Sequence, residues 1–184
     1  MIEYSGAQTP QDIEQILNLQ QSNLPTAITA EELTREGFVT VAHTYDILWA
    51  MNQLHPHIVV KSDGKVVGYA LVMLKQFRAQ IPILEGLFTN LDQLTYRERQ
   101  LVEIPYFVMG QVCIDKAFRG QGLFAGLYQQ MKTQMQPHFE LIVTSIAKRN
   151  PRSLRAHQKT GFQVIDQFKD EWDDWDIVAW DWES

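Results

Sequence analysis

Between the apolar run Tyr106 to Ile114 and a helix-forming stretch lies Asp115-Lys116-Ala117-Phe118-Arg119-Gly120-Gln121-Gly122-Leu123. These residue types, in this order, suit an anion. A helix start leaves its first backbone N–H groups without intrahelical partners and carries partial positive charge. Glycines, lacking Cβ, let a phosphate come close to those amides. Arg119 adds a planar donor fork whose charge does not titrate. From Lys116 to Lys159 the chain carries eight basic residues against one acid, Glu140, which suits a ligand bearing several phosphates.

Two phosphate-binding patterns compete for the turn. Gly120-Gln121-Gly122-Leu123-Phe124-Ala125 reads as the dinucleotide fingerprint G-x-G-x-x-A. That fingerprint calls for an acidic residue at the end of the next strand, about 20 residues on. Glu140 instead opens the next strand, which ends in Thr144 and Ser145, and the chain left after the motif is too short for a doubly wound sheet.

The second pattern is a resemblance. Val112-Cys113-Ile114 followed by Arg119-Gly120-Gln121-Gly122-Leu123 resembles the acetyl-CoA signature of the GNAT N-acetyltransferase superfamily, whose turn has the form [Q/R]-x-x-G-x-[G/A]. Arg119 and Gly122 fill its first two defined places, and Phe124 stands where the family has glycine or alanine. Downstream, Asn150, Ser153, His157, Lys159, Gly161 and Phe162 fall in register with the family's N-x-x-[A/S]-x-x-x-[Y]-x-K-x-G-F segment, with histidine at the tyrosine place.

The resemblance implies an α/β (α+β) chain with a GNAT-like acyl-CoA N-acyltransferase fold, a mixed, mostly antiparallel central sheet flanked by helices. It implies acetyl-CoA as acyl donor and a small-molecule or peptide amine as acceptor. Backbone N–H groups of Val112, Cys113 and Ile114 would hold the pantetheine arm and polarise the thioester carbonyl. Those of Gly120, Gln121, Gly122, Leu123 and Phe124 would bind the pyrophosphate, beside the charge of Arg119. Asn150, Ser153, His157 and Lys159 would complete the coenzyme side. A domain of the same fold that binds acyl-CoA without turnover is the alternative.

In the family, the tyrosine at the place of His157 is the general acid for the departing thiolate. A histidine, with an ordinary pKa of about 6.5 against about 10 for tyrosine, is a weaker proton store at neutral pH. Its acid role and a plain packing role both stay open. Glu103 and Tyr106, near the start of the central strand, are candidates for the base that takes the amine's proton, as is water. Cys113, inside an apolar strand, reads as a buried small hydrophobe and not a nucleophile. The histidines offer no metal-ligand spacing beyond His55-Pro56-His57, whose neighbours read as a strand entry, so no metal is expected.

Composition bounds the rest. The chain has 184 residues, 45% of them hydrophobic, enough for one cored domain over residues 1–184, which the resemblance implies is an N-acetyltransferase domain. A net charge of −6 argues against a nucleic-acid partner. No basic-then-apolar start and no long apolar run points to a membrane, and a lone cysteine suits a reducing, cytoplasmic setting. Oligomeric state has no sequence signature here; a homo-oligomer is compatible. The acid- and tryptophan-rich end, from Asp166 to Glu183, reads as a solvated edge strand with acids outward, or as a patch attracting a cationic acceptor.

These residues need elements to position them. The pattern predicts a strand near Ile2 to Tyr4 and helices over Pro10 to Gln21, Ala30 to Arg35 and Ala42 to Leu54, with Gly37 to Val41 ambiguous. A hairpin of His57 to Lys61 and Lys65 to Lys75 turns at Ser62-Asp63-Gly64, with Gly68 marking a bulge. A helix and loop fill Ile81 to Arg99, followed by the strand Tyr106 to Ile114. Leu123, Leu127, Met131 and Met135 form one core stripe of the helix after the turn. A strand from Phe139 to Ser145 precedes a helix capped by Asn150, started by Pro151 and ended by Gly161.

Overall fold

The computed structural model describes residues 1–28, 39 and 41–183. The elements, in chain order, are strand β1 (Ile2–Gly6), helices α1 (Pro10–Gln21) and α2 (Tyr45–Leu54), and strands β2 (Ile58–Ser62) and β3 (Lys65–Met73). Helix α3 (Glu85–Gln93), the short strands β4 (Thr95–Tyr96) and β5 (Arg99–Gln100), strand β6 (Tyr106–Ile114) and helix α4 (Leu123–Met135) follow. Strand β7 (Leu141–Ala147), helix α5 (Pro151–Thr160) and strands β8 (Gln163–Lys169) and β9 (Asp174–Asp181) complete the order. The sheet is seven-stranded, order β1-β2-β3-β6-β7-β9-β8, mixed and mostly antiparallel. The predicted Ala30 to Arg35 helix and most of Gly37 to Val41 lie outside the described residues.

The chain divides into two compact units, Met1–Val72 with Gly110–Gln134, and Met73–Met109 with Met135–Ser184. In the first, α1 starts from a reciprocal cap: Asp12 N–H donates to Thr9 Oγ1 (3.1 Å), and Thr9 and Gln8 N–H donate to Asp12 Oδ2 (3.2 and 2.9 Å). Asp12 also pairs with Lys61 Nζ at 2.7 Å, joining α1 to β2. Burial opposes the Asp12 charge, yet the Lys61 bond and the two amides hold the carboxyl below its ordinary range. The β2–β3 turn takes positive φ at Asp63 and Gly64, and the register shifts opposite Gly68, as the sequence predicts. Helix α2 starts later than predicted, at Tyr45, because Thr44 caps it through Ile47 N–H. The stripe Leu123, Leu127, Met131 and Met135 is buried, and α4 comes so near β1 that a Cβ on Gly126 would lie 2.3 Å from the Tyr4 ring.

In the second unit β6 runs parallel to β7, from Tyr106↔Leu141 to Val108↔Val143, and Thr144 Oγ1 donates to Met109 O at 2.9 Å. The C-terminal strand departs from the edge reading. Strand β9 lies between β7 and β8, with Ile177, Val178 and Ala179 all buried, and β8 is the edge. Nor do the acids all face outward: Asp176 is buried and accepts from Gln167 Nε2 (2.7 Å), and Asp181 accepts from Tyr96 Oη (3.1 Å) and pairs with Arg97. The Ile81 to Arg99 stretch forms α3 and the β4–β5 hairpin, α3 lying against Phe168 and Asp170 at Gly86. Among the described residues no helix is long and apolar enough to cross a membrane.

Candidate functional site

In the first unit, β6 ends at Ile114 and a short 3₁₀ turn, Lys116–Phe118, follows, capped by Asp115 Oδ1 accepting from Ala117 N–H (2.9 Å). Arg119 is extended, Gly120 and Gly122 take φ of 75° and 80°, and α4 begins at Leu123 with Gly126 N–H donating to Gly122 O. Both glycines hold a conformation that costs an L-residue about 1 kcal/mol. A Cβ built on either meets no atom of the described residues within 4 Å, so the backbone of the turn is open to a ligand on that side. The Gln121 side chain donates to Ala117 O at 3.2 Å. The residues present therefore fit a diphosphate.

Arg119 is tied on two sides. Its Nε donates to Ile114 O (3.0 Å), and its Nη2 donates to Asn23 Oδ1 (2.7 Å). Beneath, Val112 and Ile114 are half-buried and Cys113 is buried. Burial pushes the Cys113 thiol up to about 12, Asp115 adding to this and Arg119 opposing it. It is a protonated thiol at neutral pH, as its apolar surroundings implied. Two residues before it, Gln111 accepts from Tyr69 Oη (2.6 Å) and donates to Val41 O (2.9 Å).

The second unit carries the other candidates. Asn150 caps α5 by accepting from Ser153 N–H at 3.1 Å, and Gly161 ends the helix at φ 122°, as predicted. His157 is 1% exposed, its ring edge-on to Phe162, with Nδ1 2.8 Å from Ser153 O. A carbonyl can only accept, so the neutral ring carries its proton on Nδ1. Burial lowers the His157 pKa to about 4, against the Ser153 carbonyl. Lys159 and Glu103 are exposed, and the Glu103 main-chain O accepts from Arg99 Nη2 (2.8 Å). Tyr106 is buried, its hydroxyl without a hydrogen-bond partner among the described residues; burial first, then the Asp92 charge, push the phenol up to about 12, with Arg78 opposing.

Residues 13–162 match the model of the acetyltransferase (GNAT) family. The chain belongs to the GNAT acetyltransferase family. No curated protein sequence matches it significantly. Among solved structures it is similar to the ribosomal-protein-S18-alanine N-acetyltransferase of Escherichia coli, at 13% identity and a TM-score of 0.64 over 98% of this chain and 94% of that one. It is also similar to yncA of Salmonella typhimurium, determined with its cofactor acetyl-CoA, at 18% identity and a TM-score of 0.66 over 100% and 95% of the two chains. A spermidine N-acetyltransferase SpeG chimera from Vibrio cholerae and hSSAT aligns at 13% identity with a TM-score of 0.59, covering 99% and 96%. These likenesses show the GNAT fold.

In this GNAT chain, sequence reading missed Asn23, Tyr69 and Gln111. Their partners lie 96, 42 and 70 residues away, and no local spacing signals such a pairing. Among the described residues no group of three or more His, Cys, Asp or Glu is arranged to hold a metal.

Proposed function

We propose that this GNAT family member transfers the acetyl group of acetyl-CoA to a primary amine of a small molecule or peptide by direct attack. The observation that carries the reading is the open glycine turn from Arg119 to Leu123, at the start of a 13-residue helix, in a chain of this family. Relatives of the same fold named for an alanine of a ribosomal protein and for spermidine support an amine acceptor of either kind. A cytoplasmic site of action belongs to the same proposal and rests on the single free cysteine.

Acetyl-CoA, when bound, supplies a thioester activated toward amines. The chain's own groups do the rest. Amides of Gly120 to Phe124 receive the diphosphate next to the Arg119 charge, with Asn150, Ser153 and Lys159 assigned to the coenzyme side. Amides of Val112 to Ile114 stabilise the charge that develops on the thioester oxygen as the C–N bond forms and the C–S bond breaks. A Cys113 thiol held near 12 supports attack by the amine itself over an acyl-cysteine. A phenol raised to about 12 keeps its proton at neutral pH, which favours the exposed Glu103 or water over Tyr106 as the amine's base.

For His157 the neutral form's proton is engaged with Ser153 O, which supports the packing role over general acid. A His157→Phe variant separates the two: an acid role predicts a kcat loss of about 10²-fold or more, a packing role less than about tenfold. The same geometry favours a second reading, a domain that binds acyl-CoA without turnover. The test is calorimetric titration with acetyl-CoA, NADH as control, followed by a thiol-release assay against polyamines and peptide N-termini. Binding with turnover of any amine supports the transferase, binding without turnover across the panel supports the second reading, and no binding overturns both.

A further inference from the structure

Asn23 is 4% exposed and follows α1, where its side chain acts in two directions at once. Its Nδ2 donates to Leu19 O (2.9 Å), a carbonyl at the end of α1, while its Oδ1 accepts from Arg119 Nη2 (2.7 Å). Its backbone O accepts from Val39 N–H (3.3 Å). An amide side chain offers a donor N–H and an acceptor oxygen from one carbon. With Nε held by Ile114 O, the second bond fixes the plane of the guanidinium and the position of its charge at the glycine turn. The same segment is held further on by Gln111 at Val41 O and by Gln20, which exchanges two bonds with the His43 backbone (3.1 and 3.2 Å).

We propose that Asn23 is a positioning residue for the coenzyme's diphosphate: it holds the Arg119 guanidinium at the phosphate turn and ties that turn to the segment beginning at Val39. The proposal rests on the coenzyme reading of the turn. An arginine on a flexible stem loses rotamer freedom when it meets a phosphate; one already fixed does not.

The test is a double-mutant cycle read by calorimetric Kd for CoA in wild type, Asn23→Ala, Arg119→Ala and the double variant, with urea midpoints measured on each. If Asn23 acts through Arg119, Asn23→Ala weakens CoA binding about fivefold, and the double variant binds no more weakly than Arg119→Ala alone. An unchanged Kd in Asn23→Ala, or single effects that multiply in the double variant, overturns the proposal while leaving the coenzyme reading intact. A merely structural Asn23 would lower the urea midpoint without this dependence on Arg119. Should the alanine variant not fold, Asn23→Leu decides. It is close in size but offers Arg119 Nη2 no acceptor, so CoA binding falls about fivefold, and an unchanged Kd refutes the idea. Wild type that binds no CoA removes the reading and the proposal together.

Discussion

Side chains at the turn and in the core have chemistry set by burial more than by type. Cys113 is a clear case: a thiol held near 12 is no thiolate at physiological pH. Native protein at pH 8 should therefore resist iodoacetamide while urea-unfolded protein is alkylated fully, as mass spectrometry would read; rapid native labelling would contradict the burial. His57 has both ring nitrogens engaged, Nδ1 accepting from Val72 N–H (3.1 Å) and Nε2 donating to Leu48 O (3.0 Å). Replacing it by Leu strands the buried Val72 amide. The expected loss is about 1–3 kcal/mol in urea unfolding.

At the scale of elements, α1 depends on one carboxylate. Asp12 closes the helix cap and neutralises Lys61, so Asp12→Ala removes two kinds of interaction and should cost about 2–4 kcal/mol by chemical denaturation. Lys61→Met in the Asp12→Ala background should recover part of that loss, because it removes the unpaired cation. The glycine turn has a different requirement. Gly122→Ala should lower stability by only about 1 kcal/mol, since its Cβ meets no atom of the described residues, yet should weaken CoA binding measurably. A stable variant with wild-type CoA affinity would show that the open side of Gly122 is not where the diphosphate lies.

Across the whole molecule, His43, His57 and His157 are all buried with folded pKa values lowered to about 4, desolvation being the first cause in each. For His57, the Leu48 carbonyl opposes the shift and His43 adds to it. The unfolded value is about 6.5, so the unfolded chain binds the protons first as pH falls. Their contribution is complete above pH 6.5 and is lost between about 6.5 and 4, at up to about 1.4 kcal/mol per pH unit for each histidine. Asp12, whose folded pKa is lowered, loses its contribution only below the ordinary carboxylate range. Urea midpoints should hold from pH 7.5 to about 6.5 and fall from there to 4.5, and a profile flat throughout would contradict neutral buried histidines. Charge is redistributed at this scale too. Arg149 of the basic run pairs with Asp173, so the run supplies less positive field than its residue count suggests.

Periodicity and caps determined much of this protein by themselves. The Thr9-Pro10 start of α1, the Asp63-Gly64 turn, the buried α4 stripe, the phosphate turn and the Asn150-to-Gly161 frame of α5 are local, each set by backbone preference within a few residues. Strand β9 could not be placed this way. Alternating Trp and Asp read as an edge, yet β9 pairs with β7 along one edge and β8 along the other, and Ile177 to Ala179 are buried. The tertiary structure likewise decided which proton His157 carries and that Arg119 leans on Asn23. Desolvation and hydrogen bonds between residues up to 96 positions apart are properties of the folded neighbourhood, which residue spacing does not encode.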